Sequence, residues 1–144
     1  MWLHENKEVT NIEQFPEDTI GFIYLITHLP TNKKYIGKKI LMSRRRVPML
    51  KRELAVWDKP GRKPKKKLVV KESDWLTYYS SNTWIKNEVK LGKKAEFKRE
   101  IIRFCNSKKQ LSYYETKYQF EANVLESDKY LNDNILGKFF KTDV

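Results

Sequence analysis

A single cysteine, Cys105, stands among 144 residues, so no disulfide can close within the chain and a fold stapled by cross-links is excluded. It sits in the apolar run IIRFC with no histidine near it in sequence, which reads as a small buried hydrophobe rather than a nucleophile. The two histidines, His4 and His28, have no second ligand at metal-binding spacing, which argues against a zinc centre. Nor does the chain carry the cluster of Asp and Glu that a two-metal site demands. No apolar run approaches bilayer-spanning length, and the opening residues, MWLHENKEVTNIEQFPEDT, lack the basic start and apolar stretch of a secretory signal. A reducing, intracellular (cytoplasmic) setting with no membrane partner is expected.

Acidic residues are also in short supply, 18 against 30 Lys and Arg for a net charge of +12. The imbalance is local. Residues 33–71 hold 16 Lys or Arg against only Glu53 and Asp58, so this segment carries +14 and the rest of the chain −2. Such concentration suits a polyanion-binding surface, because phosphate neutralisation with counterion release drives sequence-independent nucleic-acid affinity. A merely solvated charge run is the plainer alternative. A membrane-surface helix is not, since Pro60, Gly61 and Pro64 interrupt DKPGRKPKKK. Hydrophobic residues at 40% with 13% aromatics suffice for one core.

Along the chain an acidic arm occupies residues 1–19, and one domain occupies 20–144 with a basic insertion near 57–72. Apolar, β-branched runs predict strands near 20–27 and 34–38, joined by the turn residues LPTNKK. A helix is expected over roughly 39–56, and a flexible basic loop after it holds Arg62, Lys63, Lys65, Lys66 and Lys67 on an extended backbone. Ser81 or Asn82 caps a helix ending before Gly92. AEFKREIIRFC reads as a central strand, and Ser107 caps a long helix to about residue 126 with Leu111, Tyr114, Tyr118 and Leu125 on one face. The last stretch, NDNILGKFF, is a loop with a short strand at its end. Trp75, Tyr78 and Tyr79 suit base stacking or core packing alike.

The most informative feature is the tyrosine pair in GFIY (21–24) and KKYIG (33–37). Tyr24 and Tyr35 would be presented by neighbouring strands of a hairpin. The stretch resembles the signature of the GIY-YIG nucleases, with Phe22 interposed after Gly21. The resemblance spans roughly residues 20–135 and implies an α+β fold, a three-stranded antiparallel sheet flanked by helices. It also implies a site made of Tyr24, Tyr35, Lys38, Arg45, Glu115 and Asn132. Arg44 and Arg46 stand in for Arg45 if the helix register differs by one, and Asn134 for Asn132. Lys39, Arg44 and Arg46 join the basic loop as expected DNA contacts.

That residue set suits phosphodiester hydrolysis, which needs cations for the charge gathering on phosphate oxygens and a base for water. Glu115 is a plausible lone protein ligand for a hydrated Mg²⁺ or Mn²⁺. Nearby Lys38 and Arg45 would lower the tyrosine pKa from about 10, and the resemblance implies Tyr24 as the general base, with Tyr35 orienting water or phosphate. Arg45 suits bidentate phosphate contact with Lys38 beside it, and Asn132 would hold the glutamate or the phosphate. The implied function is a metal-dependent endonuclease of phage or mobile-element type acting on duplex DNA. A non-catalytic nucleic-acid-binding module and a ribonuclease are the alternatives.

Overall fold

The computed structural model describes residues 1–144. In chain order its strands and helices are β1 (Trp2–His4), β2 (Lys7–Val9), β3 (Gly21–His28), β4 (Lys33–Ile40), β5 (Met42–Pro48), α1 (Lys51–Ala55), β6 (Lys66–Glu72), α2 (Thr83–Lys90), β7 (Phe97–Cys105), α3 (Lys108–Glu121), β8 (Asn134–Ile135) and β9 (Phe139–Phe140). All residues of β3 but Leu25 are buried, the pattern of a strand covered on both faces. Phe22, Tyr24 and Ile26 enter one apolar cluster with Trp2, Leu41, Trp75, Ile85, Phe97 and Ile101. Ile23 enters a second with Ile36, Cys105, Leu111, Val124, Leu125 and Ile135. The sheet thus divides two cores, with α3 covering the second.

The fold is α+β, but the sheet is not the expected three antiparallel strands. Its order is β2-β1-β7-β3-β4, and β1 runs parallel to β7 while every other pair is antiparallel. The β7-β3-β4 trio is present, widened by the first nine residues into a mixed, five-stranded sheet. Trp2 supplies the physical reason: it is completely buried, and its indole N–H donates to the Trp75 carbonyl at 2.7 Å. Two strands of three residues are too short to show an alternating pattern in sequence.

The helix expected over 39–56 is absent except for its last turn, α1. Strand β4 ends at Ile40, and β5 pairs with β6 from Met42↔Glu72 to Pro48↔Lys66 as a separate two-stranded ribbon. Run SRRRV has no apolar stripe to hold a helix on a core, whereas LVV opposite it is apolar with two β-branched valines and pairs readily. The basic loop is correspondingly shorter: Lys66 and Lys67 lie in β6, leaving Arg62, Lys63 and Lys65 in the connection before it. Helix α3 closes at Glu121, where Asn123 adopts a left-handed conformation (φ 53°) and the Val124 N–H returns to the Gln119 carbonyl.

Candidate active site

The β3–β4 turn places the two tyrosines on one sheet face. Register pairs Tyr24 with Gly37 and Ile26 with Tyr35, so the phenols are diagonal neighbours, with ring centroids 6.2 Å apart and stacked. Gly37 makes this possible: a Cβ there would meet the Tyr24 hydroxyl and lie 2.5 Å from its Cζ. The register against β7 shifts between Ile23 and Tyr24, where Ile102 of β7 is the extra residue, so β3 keeps its alternation and Tyr24 faces the same way as Phe22 and Ile26. Its ring ends up sealed between Trp2, Phe22, Tyr35 and Tyr78, with 1% exposed.

Lys38 points to the opposite face. Its Nζ donates to Ser112 Oγ at 3.0 Å and lies 3.8 Å from Glu115 Oε1, both on α3. Tyr35 reaches around the free edge of β4, where its hydroxyl shares a 3.0 Å hydrogen bond with Ser81 Oγ. The edge is closed by Asn132, whose amide accepts from the Ile36 N–H at 3.1 Å and donates to the Ile36 carbonyl at 2.8 Å. Gln119 donates to that same carbonyl at 3.0 Å. Asn132 therefore copies a neighbouring strand's peptide and fixes the backbone between Tyr35 and Gly37. Between these elements opens a cleft of about 370 Å³ lined by Tyr35, Lys38, Ser81, Glu115, Asn132 and Asp133 among others.

Electrostatics in the cleft differ from the expectation. Burial pushes the Tyr24 phenol well above its ordinary value, with Tyr78, Tyr35 and Glu115 adding to the rise. Tyr35 is raised too, again by burial first, against a lowering from the Ser81 hydrogen bond. The predicted lowering fails because neither cation is placed to cause it: Lys38 turns to α3, and Arg45 stands on the ribbon. Burial likewise raises Glu115, while the Lys38 ammonium and backbone N–H pull it down.

A family model described as "Putative endonuclease segE, GIY-YIG domain" matches residues 2–135. The chain belongs to the GIY-YIG family. Searches of curated proteins and of solved structures found no match. The GIY-YIG match starts at Trp2, so it takes in β1 and β2 as well as both tyrosines, the ribbon, Glu115 and Asn132.

Of the site residues read from the sequence, the GIY-YIG fold gathers Tyr35, Lys38, Glu115 and Asn132 at one cleft, with Tyr24 directly behind Tyr35. Arg45 is not among them. It lines a second cleft of about 470 Å³ at the ribbon's base, with Lys39, Lys71 and Asp74, where Lys39 contacts Asp74 at 2.5 Å and lies 4.0 Å from the Tyr78 ring centroid. Arg44 and Arg46 also stand on the ribbon, both exposed. Sequence reasoning missed Ser81 as Tyr35's partner and Tyr78 as the lid on Tyr24. Tyr78 is held by Arg99, which stacks on Trp2 and Tyr79 and donates to the Leu76 and Tyr78 carbonyls at 3.0 and 2.8 Å.

The cleft's donor set bears on a metal. Its carboxylates are Glu115 and Asp133, and its remaining polar groups are hydroxyl, amide and ammonium. No group of three or more His, Cys, Asp or Glu side chains is assembled anywhere. Two carboxylates with hydroxyl and amide oxygens, and no thiol or imidazole, fit a hard, largely hydrated cation better than a soft one.

Proposed function

We propose that the chain is a divalent-metal-dependent DNA endonuclease whose phosphodiester chemistry occurs in the cleft between β4 and α3. The observation that carries this is Glu115: a half-buried carboxylate that lines the same cleft as Tyr35, with the Lys38 ammonium 3.8 Å away. A partly desolvated carboxylate whose pKa stays raised despite the Lys38 ammonium gains from a second cation beside it, and a single anchor of this kind suits Mg²⁺ or Mn²⁺. Glu115 would hold the ion with Asp133 beside it, and the ion would supply Lewis-acid charge for the phosphate oxygens.

The chain's own groups divide the remaining work. The Lys38 ammonium presents positive charge to a phosphate oxygen at the cleft mouth. Of the two phenols, Tyr35 is the one that lines the cleft, so we assign its hydroxyl to the attacking water, with Ser81 fixing its direction. Tyr24, expected from the sequence as the base, instead backs the Tyr35 ring. Asn132 acts as a positioning residue through the β4 backbone. The exposed cations of the ribbon and its tip supply affinity for duplex DNA.

Glu115→Gln tests the assignment. Plasmid cleavage in Mg²⁺ is expected to fall about 100-fold or more, the scale of losing one electrostatic stabiliser. Added Mg²⁺ should raise the melting temperature of the parent and not of the variant. The pH sign follows from the raised pKa: the native state holds this proton more tightly than the unfolded chain, so Glu115's contribution to stability is full at low pH and lost as pH rises through the raised value. Metal-free Glu115→Gln is therefore at least as stable as the parent at neutral pH. Mg²⁺ binding weakens on acidification at a higher pH than an ordinary carboxylate would allow. Parent-rate cleavage by Glu115→Gln defeats the proposal, and Tyr24→Phe losing activity while Tyr35→Phe keeps it would return the water-contacting role to Tyr24.

A further inference from the structure

The ribbon divides its side chains between two unlike faces. Cross-strand pairing puts Ser43, Arg45 and Val47 on one face with Lys71, Val69 and Lys67, and Arg44 and Arg46 on the other with Val70 and Leu68. The first face is partly covered: Val47, Lys67 and Val69 are half-buried, and Lys67 Nζ meets Glu53 of α1 at 2.7 Å. The second is open, with Arg44 and Arg46 exposed and Leu68 and Val70 at 54% and 49% exposure. Two guanidinium groups interleaved with two aliphatic chains, on an unpartnered face, are poorly explained by phosphate contact alone, which needs only charge.

We propose that ribbon β5–β6 enters the major groove of duplex DNA and reads base edges, Arg44 and Arg46 on guanine and Leu68 and Val70 on thymine methyls. The major groove admits a two-stranded ribbon. An arginine fork matches guanine O6 and N7, and an aliphatic chain matches the thymine methyl. Charge complementarity selects this occupant: Lys66 on the same face and Arg62, Lys63 and Lys65 at the tip flank the arginines, against Glu72 at the base and Asp58 in the tip connection, Glu53 being paired with Lys67. Reach agrees as well. Arg44 follows Lys38 by six residues, so its backbone lies within about 20 Å of the cleft's lysine, less than one duplex turn of about 34 Å. The ribbon would set where the enzyme cuts, and this rests on the nuclease reading of the cleft.

Metal-free selection from a pool of randomised duplexes tests it. The parent protein is expected to enrich guanine at defined positions, by about tenfold or more over other bases at each contact. An Arg44→Lys, Arg46→Lys double variant keeps the charge but not the fork, and should flatten that preference while keeping the parent's salt dependence of binding. In a selected duplex, 7-deazaguanine, which lacks the N7 acceptor, should weaken the parent about tenfold and the variant far less. A parent that enriches nothing, a preference that survives in the double variant, or indifference to 7-deazaguanine overturns the proposal. Selection without Mg²⁺-dependent cleavage sinks the nuclease reading alone, and cleavage without selection sinks the ribbon reading alone.

Discussion

The five-stranded sheet and the β5–β6 ribbon are both β-structure, yet they are stabilised in opposite ways. In the sheet, β3 is buried on both faces, and Gly21 of β3 and Gly37 of β4 have no room for a side chain. The ribbon has one half-covered face, one open face and a charge run that no core would accept. It is tied to the sheet at its root, where the Ser73 N–H donates to the Leu41 carbonyl at 2.9 Å and the Ser73 hydroxyl to the Ile40 carbonyl at 2.5 Å. Rigid packing suits a cleft in which small displacements cost rate, and an exposed, cationic projection suits a surface that must meet DNA. The two regions should therefore respond differently to substitution.

The largest effect is expected in the sheet's first strand. Trp2→Ala removes a completely buried indole and leaves the Trp75 carbonyl without its donor, so stability should fall by about 3–5 kcal/mol in denaturant titration. It should also loosen Arg99 and the Tyr78 segment, reaching the cleft from its far side. A Trp2→Ala protein that unfolds at the parent midpoint would mean that the first nine residues are an appendage after all.

Gly37→Ala should come next. The added methyl would sit 2.5 Å from Tyr24 Cζ and 3.0 Å from Tyr35 Cε1, both in rings packed too tightly to give way freely. Overpacking of this kind costs about 1–3 kcal/mol, and a shift of about 1 Å in the Tyr35 hydroxyl is worth about 100-fold in rate. Cleavage should thus suffer more than folding, and equal losses in both would show that the glycine serves packing alone.

The motif is legible because its chemistry is local: a hairpin of apolar, β-branched runs with turn residues between them puts tyrosines two register steps apart on one face, and Glu115 follows on a capped helix. What the sequence hides depends on partners remote along the chain. Ser81 meets Tyr35 across 46 residues, and Asn132 meets Ile36 across 96, distances at which no spacing rule operates. Trp2 reads as part of an acidic arm because a three-residue strand shows no period. Arg45 is misplaced by sequence because charged runs fit a helix surface or a strand ribbon equally, and only the distant LVV segment decides between them. The direction of the Tyr24 pKa shift depends on burial, which a list of neighbouring cations cannot supply.

The smallest effect on stability is expected where the charge is greatest. Met42 and Glu72 are directly paired, so residues 43–71 can be excised and the ends joined by Asn-Gly, the dipeptide that closes a two-residue hairpin. The sheet's two apolar clusters contain nothing from the excised segment, and the Leu41–Ser73 clamp remains. Thermal stability should therefore change by no more than about 1 kcal/mol, while the Mg²⁺-dependent rise in melting temperature persists because Glu115 and Lys38 are untouched. Duplex affinity should fall sharply, and its dependence on salt should flatten in proportion to the number of phosphates the ribbon's cations neutralise. A ribbonless protein that melts early would show that the projection supports the core, and one that binds DNA with an unchanged salt slope would move the DNA-binding surface to another face.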